Sequence, residues 1–342
     1  MNDLDLLLAE LSAATTRTSE EVVAALVRDR YGLSAEVERL TGERDENFLV
    51  REASGSQYVL KIANLAEDPQ VTDFQIAALL HLQAAEPDLP CPRVRLDLRG
   101  QTQTHFQDSD GTTRSARMLS FLSGKPLRFA ERSTAQRQSC AILAATMGRA
   151  LRSFEHAGAH RPLLWDVRHL PKLRQLLLDL PGLPGEATML PLIDQFDSDV
   201  APRLAALRQQ VIHNDINDRN VIVQPDDDSR IAGFIDFGDM LHTALIVDVA
   251  IMIAEQITDT ATLEQTANDL ARAYHATVPL LDDEFALLKP LIAARMIMSV
   301  VIPSWHRQQH PSGQHYARVD HDFVRRRIQL LEQLLRTDIE LS

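Results

Sequence analysis

The chain has 342 residues, 45% of them hydrophobic and 24% charged, which is the composition of a globular protein long enough for two lobes. Its formal net charge of −13 argues against a general nucleic-acid binder, because affinity for a phosphate backbone requires a basic surface. Cys91 and Cys140 lack the spacing of a metal site, and the acidic N-terminal segment has no basic region of a signal peptide. The apolar run 244–254 is too short to span a bilayer. We therefore expect a soluble cytoplasmic protein with no nucleic-acid and no membrane partner, while its oligomeric state does not follow from the sequence.

The first third of the chain combines helical and strand patterns. Apolar residues at helical spacing predict a helix over residues 2–30. Two strand-like runs, 47–52 and 57–63, are joined by small residues, which indicates a β-hairpin. A helix over Val71–Gln83 and further strands over 93–98 and 103–107 follow.

The apolar segment Met118–Leu122 ends at Ser123-Gly124 and is predicted to connect two lobes. Beyond it a β-hairpin is predicted from the runs Val221–Gln224 and Ile231–Ile235. Helical patterns cover 134–157, 167–180, 194–210, 243–256, 260–277, 283–300 and 318–336. The predicted fold is bilobal and α+β, with a β-rich lobe over 1–117, a hinge over 118–124 and a helical lobe over 125–342.

The two loops that flank the predicted hairpin carry the chemistry. Asp215 precedes Asn220 in a His-x-Asp-x-x-x-x-Asn pattern, and Asp236-Phe237-Gly238 begins sixteen residues after Asn220. In phosphoryl transfer the protein orients a hydroxyl group and holds Mg²⁺ against a nucleoside triphosphate. An aspartate can accept the hydroxyl proton, while an asparagine amide and a second carboxylate supply the oxygen ligands that Mg²⁺ prefers. We therefore predict Asp215 as the base, with Asn220 and Asp236 as metal ligands.

Single residues of this pattern have simpler explanations. Aspartate and asparagine are common turn formers. We predict His213 to be a buried, hydrogen-bonded packing residue, and Asp248 to be a capping or buried hydrogen-bonding residue. The joint spacing of base loop, hairpin and Asp-Phe-Gly is what favours the catalytic interpretation.

Lys61 and the turn before the first hairpin are predicted to bind the nucleotide. Strand alternation places Lys61 on a face with small apolar residues, which suits a lysine that reaches phosphates. The turn from Gly42 to Asn47 can offer backbone N–H groups to the phosphates, although it has one glycine and three acids.

With these residues in hand, the chain resembles the aminoglycoside phosphotransferase-like branch of the protein-kinase-like fold. Within it, the chain looks most similar to hydroxylysine kinases and to the kinase-like domains fused to class III aminotransferases. The resemblance is strongest in segments 42–50, 58–64, 89–94, 213–221 and 233–240.

The resemblance implies the same roles for Asp215, Asn220, Asp236 and Lys61. It also implies that the hinge backbone reads the purine, at Met118, Ser120 and Leu122, and that Asp239 supports the metal loop or the substrate.

One position departs from the family pattern. The lysine of the family pairs with a glutamate on the next helix, and the matching residue here is Gln75. Gln75 could hydrogen-bond Lys61 without the charge-assisted part, or Asp73 or Glu67 could replace the missing acid. Slow or absent catalysis is the third alternative.

The predicted activity is transfer of the γ-phosphoryl of ATP or GTP, with Mg²⁺, to a small hydroxylated amine or amino acid, 5-hydroxylysine first. Homoserine, choline, ethanolamine and aminoglycosides remain alternatives, as do a nucleotide-binding pseudokinase and a structural scaffold. Glu255 could bind an acceptor ammonium and Arg295 its carboxylate, although both could equally be structural or helix-surface charges. Trp165 and Asp239 are further candidates for the acceptor site.

Overall fold

The computed structural model describes residues 4, 7–8, 17–42, 44–311, 316 and 319–341. The helix predicted over 2–30 is confirmed in α1, Glu20–Tyr31, whereas most of its predicted beginning lies outside the described residues. The Ser19 side chain caps α1 by accepting a hydrogen bond from the backbone N–H of Val22, and Gly32 ends the helix at a φ of 70°.

Six antiparallel strands form the sheet of the N-terminal lobe, in the order β1-β2-β3-β6-β4 with β5 beside β6. On this sheet Lys61 of β3 lies opposite Asn47 of β2 and Arg117 of β6. The sequence patterns missed β1 and β6 and overextended the strand predicted at 93–98. The strands are β1 Ala35–Leu40, β2 Glu46–Glu52, β3 Gln57–Ile62, β4 Val94–Arg95, β5 Thr104–Gln107 and β6 Thr113–Ser120.

Two hydrophobic cores follow from this arrangement. One side of the sheet packs on α1, and its core includes Phe48, Leu60 and Met118. Helix α2, Pro69–Ala85, instead buries its apolar face with the helices of the second lobe. The N-terminal lobe is therefore held to the helical lobe by one of its own helices.

The connection between the lobes follows β6 directly. Strand β7, Lys125–Pro126, pairs with a strand of the helical lobe, β9, Val221–Val223. Gly124 has a φ of 145°, and a Cβ on it would lie 2.1 Å from the carbonyl oxygen of Val223. Only glycine permits this close approach. Residues 118–120 of the predicted hinge 118–124 form the end of β6, so the connection itself begins at Phe121, and the boundaries of the lobes stay a prediction.

The helical lobe differs from its predicted pattern in several places. The helix predicted over 194–210 is confirmed for 194–205, through the end of α5 (Glu186–Gln195), a π-helical turn and a short helix, but 209–212 form a strand. The segment predicted as a helix over 167–180 is a 3₁₀-helix and then a short α-helix. The helix predicted over 243–256 starts only at Ile246, because the preceding residues pair as a strand. Periodicity does not separate a short apolar strand from a helical turn.

The α-helices of this lobe are α3 Thr134–Leu151, α4 Leu173–Leu178, α5 Glu186–Gln195, α6 Ala201–Ala205, α7 Ile246–Gln256, α8 Leu263–Thr277, α9 Asp282–Gln309 and α10 His321–Arg336. In the described part of the chain, α9 is long and apolar enough by composition to cross a bilayer. However, 72% of its most apolar stretch is buried inside the protein, as in a core helix.

Two small antiparallel ladders position the loops that carry the chemistry. Strand β8, Gln209–Ile212, pairs with β11, Leu241–Ala244, and β9 pairs with β10, Ile231–Phe234. The chain passes from β8 to β9 through residues 213–220 and from β10 to β11 through residues 235–240. Both loops therefore leave paired strands at the same end, which brings them together.

Candidate active site

The loop 213–220 is fixed by hydrogen bonds to buried groups. The carboxylate of Asp248, at the start of α7, accepts from the backbone N–H groups of His213 and Asn214 at 2.9 and 2.7 Å. His213 Nδ1 accepts from the backbone N–H of Asp215 at 3.2 Å, and its Nε2–H donates to the carbonyl of Ile235 at 3.2 Å. Burial lowers the pKa of His213 to about 4 and raises that of Asp248 to about 6. The structural roles predicted for both residues are confirmed.

The carboxylate of Asp215 is held by three side chains. Its Oδ1 accepts from Arg295 Nη2 at 3.0 Å and from Asn217 Nδ2 at 2.8 Å, and its Oδ2 accepts from Asn220 Nδ2 at 2.6 Å. Burial raises the pKa of Asp215 to about 7; the charge of Asp239 adds to this rise, and that of Arg295 opposes it. The side chain is still 18% exposed, so the carboxylate can be reached from outside.

The other predicted metal ligand lies beside this loop. Asp236 has a φ of 62°, and the backbone N–H of the preceding Ile235 donates to the Asn220 carbonyl at 2.9 Å. The Asp236 side chain is 51% exposed, and its Oδ1 lies 3.1 Å from Lys61 Nζ. The Lys61 charge lowers the pKa of Asp236 to about 2.

These two residues fit a nucleotide-bound Mg²⁺. The Asn220 amide directs its Nδ2 to Asp215, which leaves its oxygen as a possible ligand, and Asp236 is ionised. No cluster of three His, Cys, Asp or Glu side chains able to hold a metal occurs among the described residues. Mg²⁺ is usually held by one or two carboxylates together with water and substrate phosphates, so this donor set suits it.

Lys61 has different partners from those expected. Gln75 accepts a hydrogen bond from Arg117 Nη2 at 2.6 Å, and the acid near Lys61 besides Asp236 is Asp45, at 3.9 Å. Asp45 also pairs with Arg117 at 2.7 Å.

Neither of the suggested replacement acids takes this place. Asp73 pairs with His156 at 3.1 Å and Glu67 with Arg161 at 3.3 Å. Among the described residues, the acid that lies within 4 Å of Lys61 besides Asp236 is therefore the turn residue Asp45.

A cavity of about 460 Å³ lies between the sheet and the two loops. Of the residues predicted to bind the nucleotide, it is lined by Gly42, Asn47, Lys61, Gln75, Ser120, Leu122, Asn220 and Asp236, and Leu119 and Phe121 line it as well. Met118 does not: its side chain is fully buried in the core of the sheet, because alternation along β6 turns it away from the cavity.

The turn over this cavity requires glycine at position 42. A Cβ there would lie 2.2 Å from the carbonyl oxygen of Asp45. Glu43, the next residue of the predicted phosphate-binding turn, lies outside the described residues. Arg44 reaches across to Asp239 and forms an ion pair with it, which joins this turn to the loop 235–240.

A second cavity, of about 340 Å³, opens on the helical side of Asp215. The four residues predicted for the acceptor all line it: Trp165, Asp239, Glu255 and Arg295. Arg295 and Glu255 are not helix-surface charges. Arg295 is 4% exposed, pairs with Glu255 at 2.9 Å, and lies 4.7 Å from the centre of the Trp165 ring.

The sequence analysis missed the roles of Asn217, Asp45, Arg117 and Arg327 in this region. Asp45 was visible within the 42–50 segment, and Arg117 would have followed from the pairing of β3 with β6. Arg327, on α10, lines the second cavity and is 7% exposed. No local pattern distinguishes it from the other arginines of α10, since its role depends on how that helix packs.

An antiparallel sheet joined to a helical lobe, with the loops 213–220 and 235–240 meeting near Lys61, is the architecture of a phosphotransferase of the protein-kinase-like fold. The sequence profile of the phosphotransferase enzyme family matches residues 36–288, and the chain belongs to this family. It is a kinase that transfers a phosphoryl group to a hydroxyl.

Individual relatives agree with this assignment. The chain is 26% identical over 332 residues to the hydroxylysine kinase of Danio rerio, covering 94% of each chain. Its structure resembles that of an amicoumacin kinase in complex with AMP-PNP and Ca²⁺, with a TM-score of 0.69, 13% identity and coverage of 94% of this chain and 96% of that one. It also resembles a microcompartment-associated aminopropanol kinase, with a TM-score of 0.69, 17% identity and coverage of 94% and 100%. The predicted fold class and family resemblance are confirmed.

Proposed function

We propose that the enzyme transfers the γ-phosphoryl of ATP or GTP to the hydroxyl of a small amino-containing acceptor, with 5-hydroxylysine as the first candidate. Asp215 acts as the base, and the reaction takes place in the cytoplasm, where buried thiols such as Cys91 and Cys140 stay reduced. The hydroxylysine kinases similar to this chain over most of its length support the choice of acceptor.

The position of Asp215 carries this proposal. Its side chain lines the nucleotide-side cavity, the acceptor-side cavity and a smaller polar pocket of about 60 Å³ between the turn at Gly42 and the metal loop. The polar pocket also contains Lys61 and Asp236. A base at the junction of these three spaces can contact an acceptor hydroxyl while the triphosphate lies on the other side.

The hydrogen bonds of Asp215 indicate which oxygen accepts the proton. An ionised carboxylate oxygen has two lone pairs. Oδ1 already accepts from Arg295 and Asn217, whereas Oδ2 accepts only from Asn220 among the described residues. Oδ2 therefore has room for the acceptor hydroxyl, and Asn217 and Arg295 keep the carboxylate from rotating.

The nucleoside triphosphate, which donates the phosphoryl group, is assigned to the space between the sheet and the loop 235–240. Asn220 and Asp236 would hold Mg²⁺, which neutralises charge on the triphosphate when bound. Lys61 would neutralise phosphate oxygens, and Ser120 and Leu122 line the space proposed for the nucleobase. Both ATP and GTP are compatible with a hinge that contacts the base through its backbone.

The proposal is tested by incubating the protein with Mg²⁺, ATP or GTP, and a panel of hydroxylated amines and amino acids. We expect Asp215→Asn to lower kcat by about 10²- to 10⁴-fold, the usual contribution of general-base catalysis. Asp226→Asn is the matched control, because Asp226 lies exposed in the turn between β9 and β10. Nucleotide binding without transfer to any acceptor would contradict the proposal and favour a pseudokinase.

A further inference from the structure

We infer that the acceptor carries a carboxylate, and that Arg295 and Arg327 form the site that binds it. This inference rests on the proposed function, because it concerns the acceptor-side cavity next to Asp215. It separates hydroxy amino acids from amino alcohols, choline and aminoglycosides, which have no carboxylate.

Two buried guanidinium groups meet in this cavity. Arg295 and Arg327 come from α9 and α10, are 4% and 7% exposed, and both line the cavity. They flank the same oxygen of Glu255, with Arg295 Nε at 2.9 Å and Arg327 Nη2 at 3.6 Å. The two cations therefore lie side by side, held by one shared acid.

Each guanidinium has one nitrogen that makes no hydrogen bond to the described residues, although Arg327 Nη2 lies 3.6 Å from Glu255. Arg295 donates through Nε and Nη2, and Arg327 donates through Nε to Ser299 and through Nη1 to the Ala254 carbonyl. Within the described part of the chain, Arg295 Nη1 and Arg327 Nη2 are buried without a hydrogen-bond partner. An unpaired buried donor is costly, and a planar guanidinium matches a carboxylate in geometry and charge. A carboxylate is therefore the ligand that these two nitrogens are suited to bind.

The charges around the cavity fit a zwitterion. Asp218 and Asp239 line the same cavity as the two arginines, so it presents acids as well as cations. An amino acid can place its ammonium groups near the acids and its carboxylate at the arginines. An amino alcohol would leave the arginine donors unpaired, which is the physical basis of discrimination against an analogue that lacks one polar group.

The direct test compares two acceptors that differ only in the carboxylate: 5-hydroxy-L-lysine and its decarboxylated analogue, 1,5-diamino-2-hydroxypentane. We expect the wild-type enzyme to favour the amino acid in kcat/KM by about 10- to 100-fold, the value of a hydrogen bond to a charged group. This measurement requires no variant.

A variant then assigns the preference to the site. Arg327→Gln is used because Arg327, unlike Arg295, does not contact Asp215. We expect it to lower kcat/KM for hydroxylysine by about tenfold or more and to leave that for the diamine nearly unchanged, which reduces the preference. Arg326→Gln is the control. Arg326 is the exposed neighbour that lines the same cavity, and its substitution removes the same charge. Thermal melting by circular dichroism establishes that each variant is folded.

The outcomes distinguish this inference from the proposed function. Equal kcat/KM for both acceptors would overturn the carboxylate site and leave the proposed kinase activity standing. Transfer to neither acceptor, and to no other member of the panel, would count against the proposed function itself. An Arg326→Gln variant that loses the preference as much as Arg327→Gln would show that general charge, rather than the buried pair, is responsible.

Discussion

Asp45 provides the most informative test of how this enzyme works without the family glutamate. Its carboxylate, 11% exposed, lies 2.7 Å from Arg117 Nη2 and 3.9 Å from Lys61 Nζ. Arg117 itself is 3% exposed. Asp45→Asn would leave this buried guanidinium with the neutral Gln75 amide and the new amide as partners.

We expect Asp45→Asn to lower the free energy of unfolding by roughly 3 kcal/mol, since breaking a buried ion pair typically costs about 3–5 kcal/mol and the retained amide hydrogen bonds reduce that. Nucleotide affinity should fall as well, because Lys61 loses one of the two acids that, among the described residues, lie within 4 Å of it and hold it in position. Urea unfolding at pH 7 measures the first effect, and calorimetric titration with nucleotide measures the second.

The matched control is Glu38→Gln. Glu38 pairs with Arg51 at 2.6 Å on the same sheet, but the two side chains are 56% and 41% exposed. Exposed pairs contribute at most about 1 kcal/mol. If Asp45→Asn costs no more than this control, Asp45 is not the counter-ion that the geometry indicates.

A second variant tests whether a carboxylate at position 75 can replace the one at position 45. Gln75 Oε1 lies 2.6 Å from the same Arg117 Nη2, so Gln75→Glu would place a carboxylate where the family has one. We expect the double variant Asp45→Asn/Gln75→Glu to regain most of the lost stability. A double variant as unstable as Asp45→Asn would show that position matters more than charge.

Three further predictions concern the loops around the site. His213 has a pKa of about 4 in the folded protein against 6.5 for an unburied histidine. The unfolded chain therefore binds more protons between these two pH values, and the free energy of unfolding falls as the pH is lowered. Between pH 7 and pH 5 this costs roughly 2 kcal/mol, and His213→Asn should remove that part of the pH dependence in urea unfolding. Asp248→Asn should cost about 1–3 kcal/mol and lower kcat, since an amide has one acceptor oxygen for two backbone donors; unfolding and steady-state assays measure this. Gly42→Ala should raise the nucleotide KM, because the new Cβ meets the Asp45 carbonyl, and an unchanged KM would contradict that role for the turn.

That Asp215, Asn220 and Asp236 lie close together could be predicted from the sequence because the arrangement is local. The three residues lie within one run, and the strands between them fix their separation. The pattern needed only that β9 and β10 pair, which two short apolar runs around an acidic turn already indicated. The roles predicted for His213 and Asp248 followed from burial alone.

Errors arose wherever a result depended on register or on contacts between distant elements. The strand β6 was not predicted, so Arg117 was not recognised as the neighbour of Lys61, and the hydrogen bond considered between Gln75 and Lys61 is made to Arg117 instead. Alternation along β6 also turns Met118 into the core. The strand at 209–212 was read as helix because four residues are too few to show a period of two.

The residues on the acceptor side of Asp215 are brought together by packing between helices that are distant in sequence. Arg295 is 80 residues from Asp215, and Arg327 lies on yet another helix, so their meeting at Glu255 depends on how α7, α9 and α10 pack. This division has a functional consequence. In the proposed function, the segment that supplies the base and the metal ligands is separate in sequence from the helices that carry Arg295 and Arg327. Substitutions at these buried arginines can therefore change which acceptor reaches Asp215 without altering the segment 213–239.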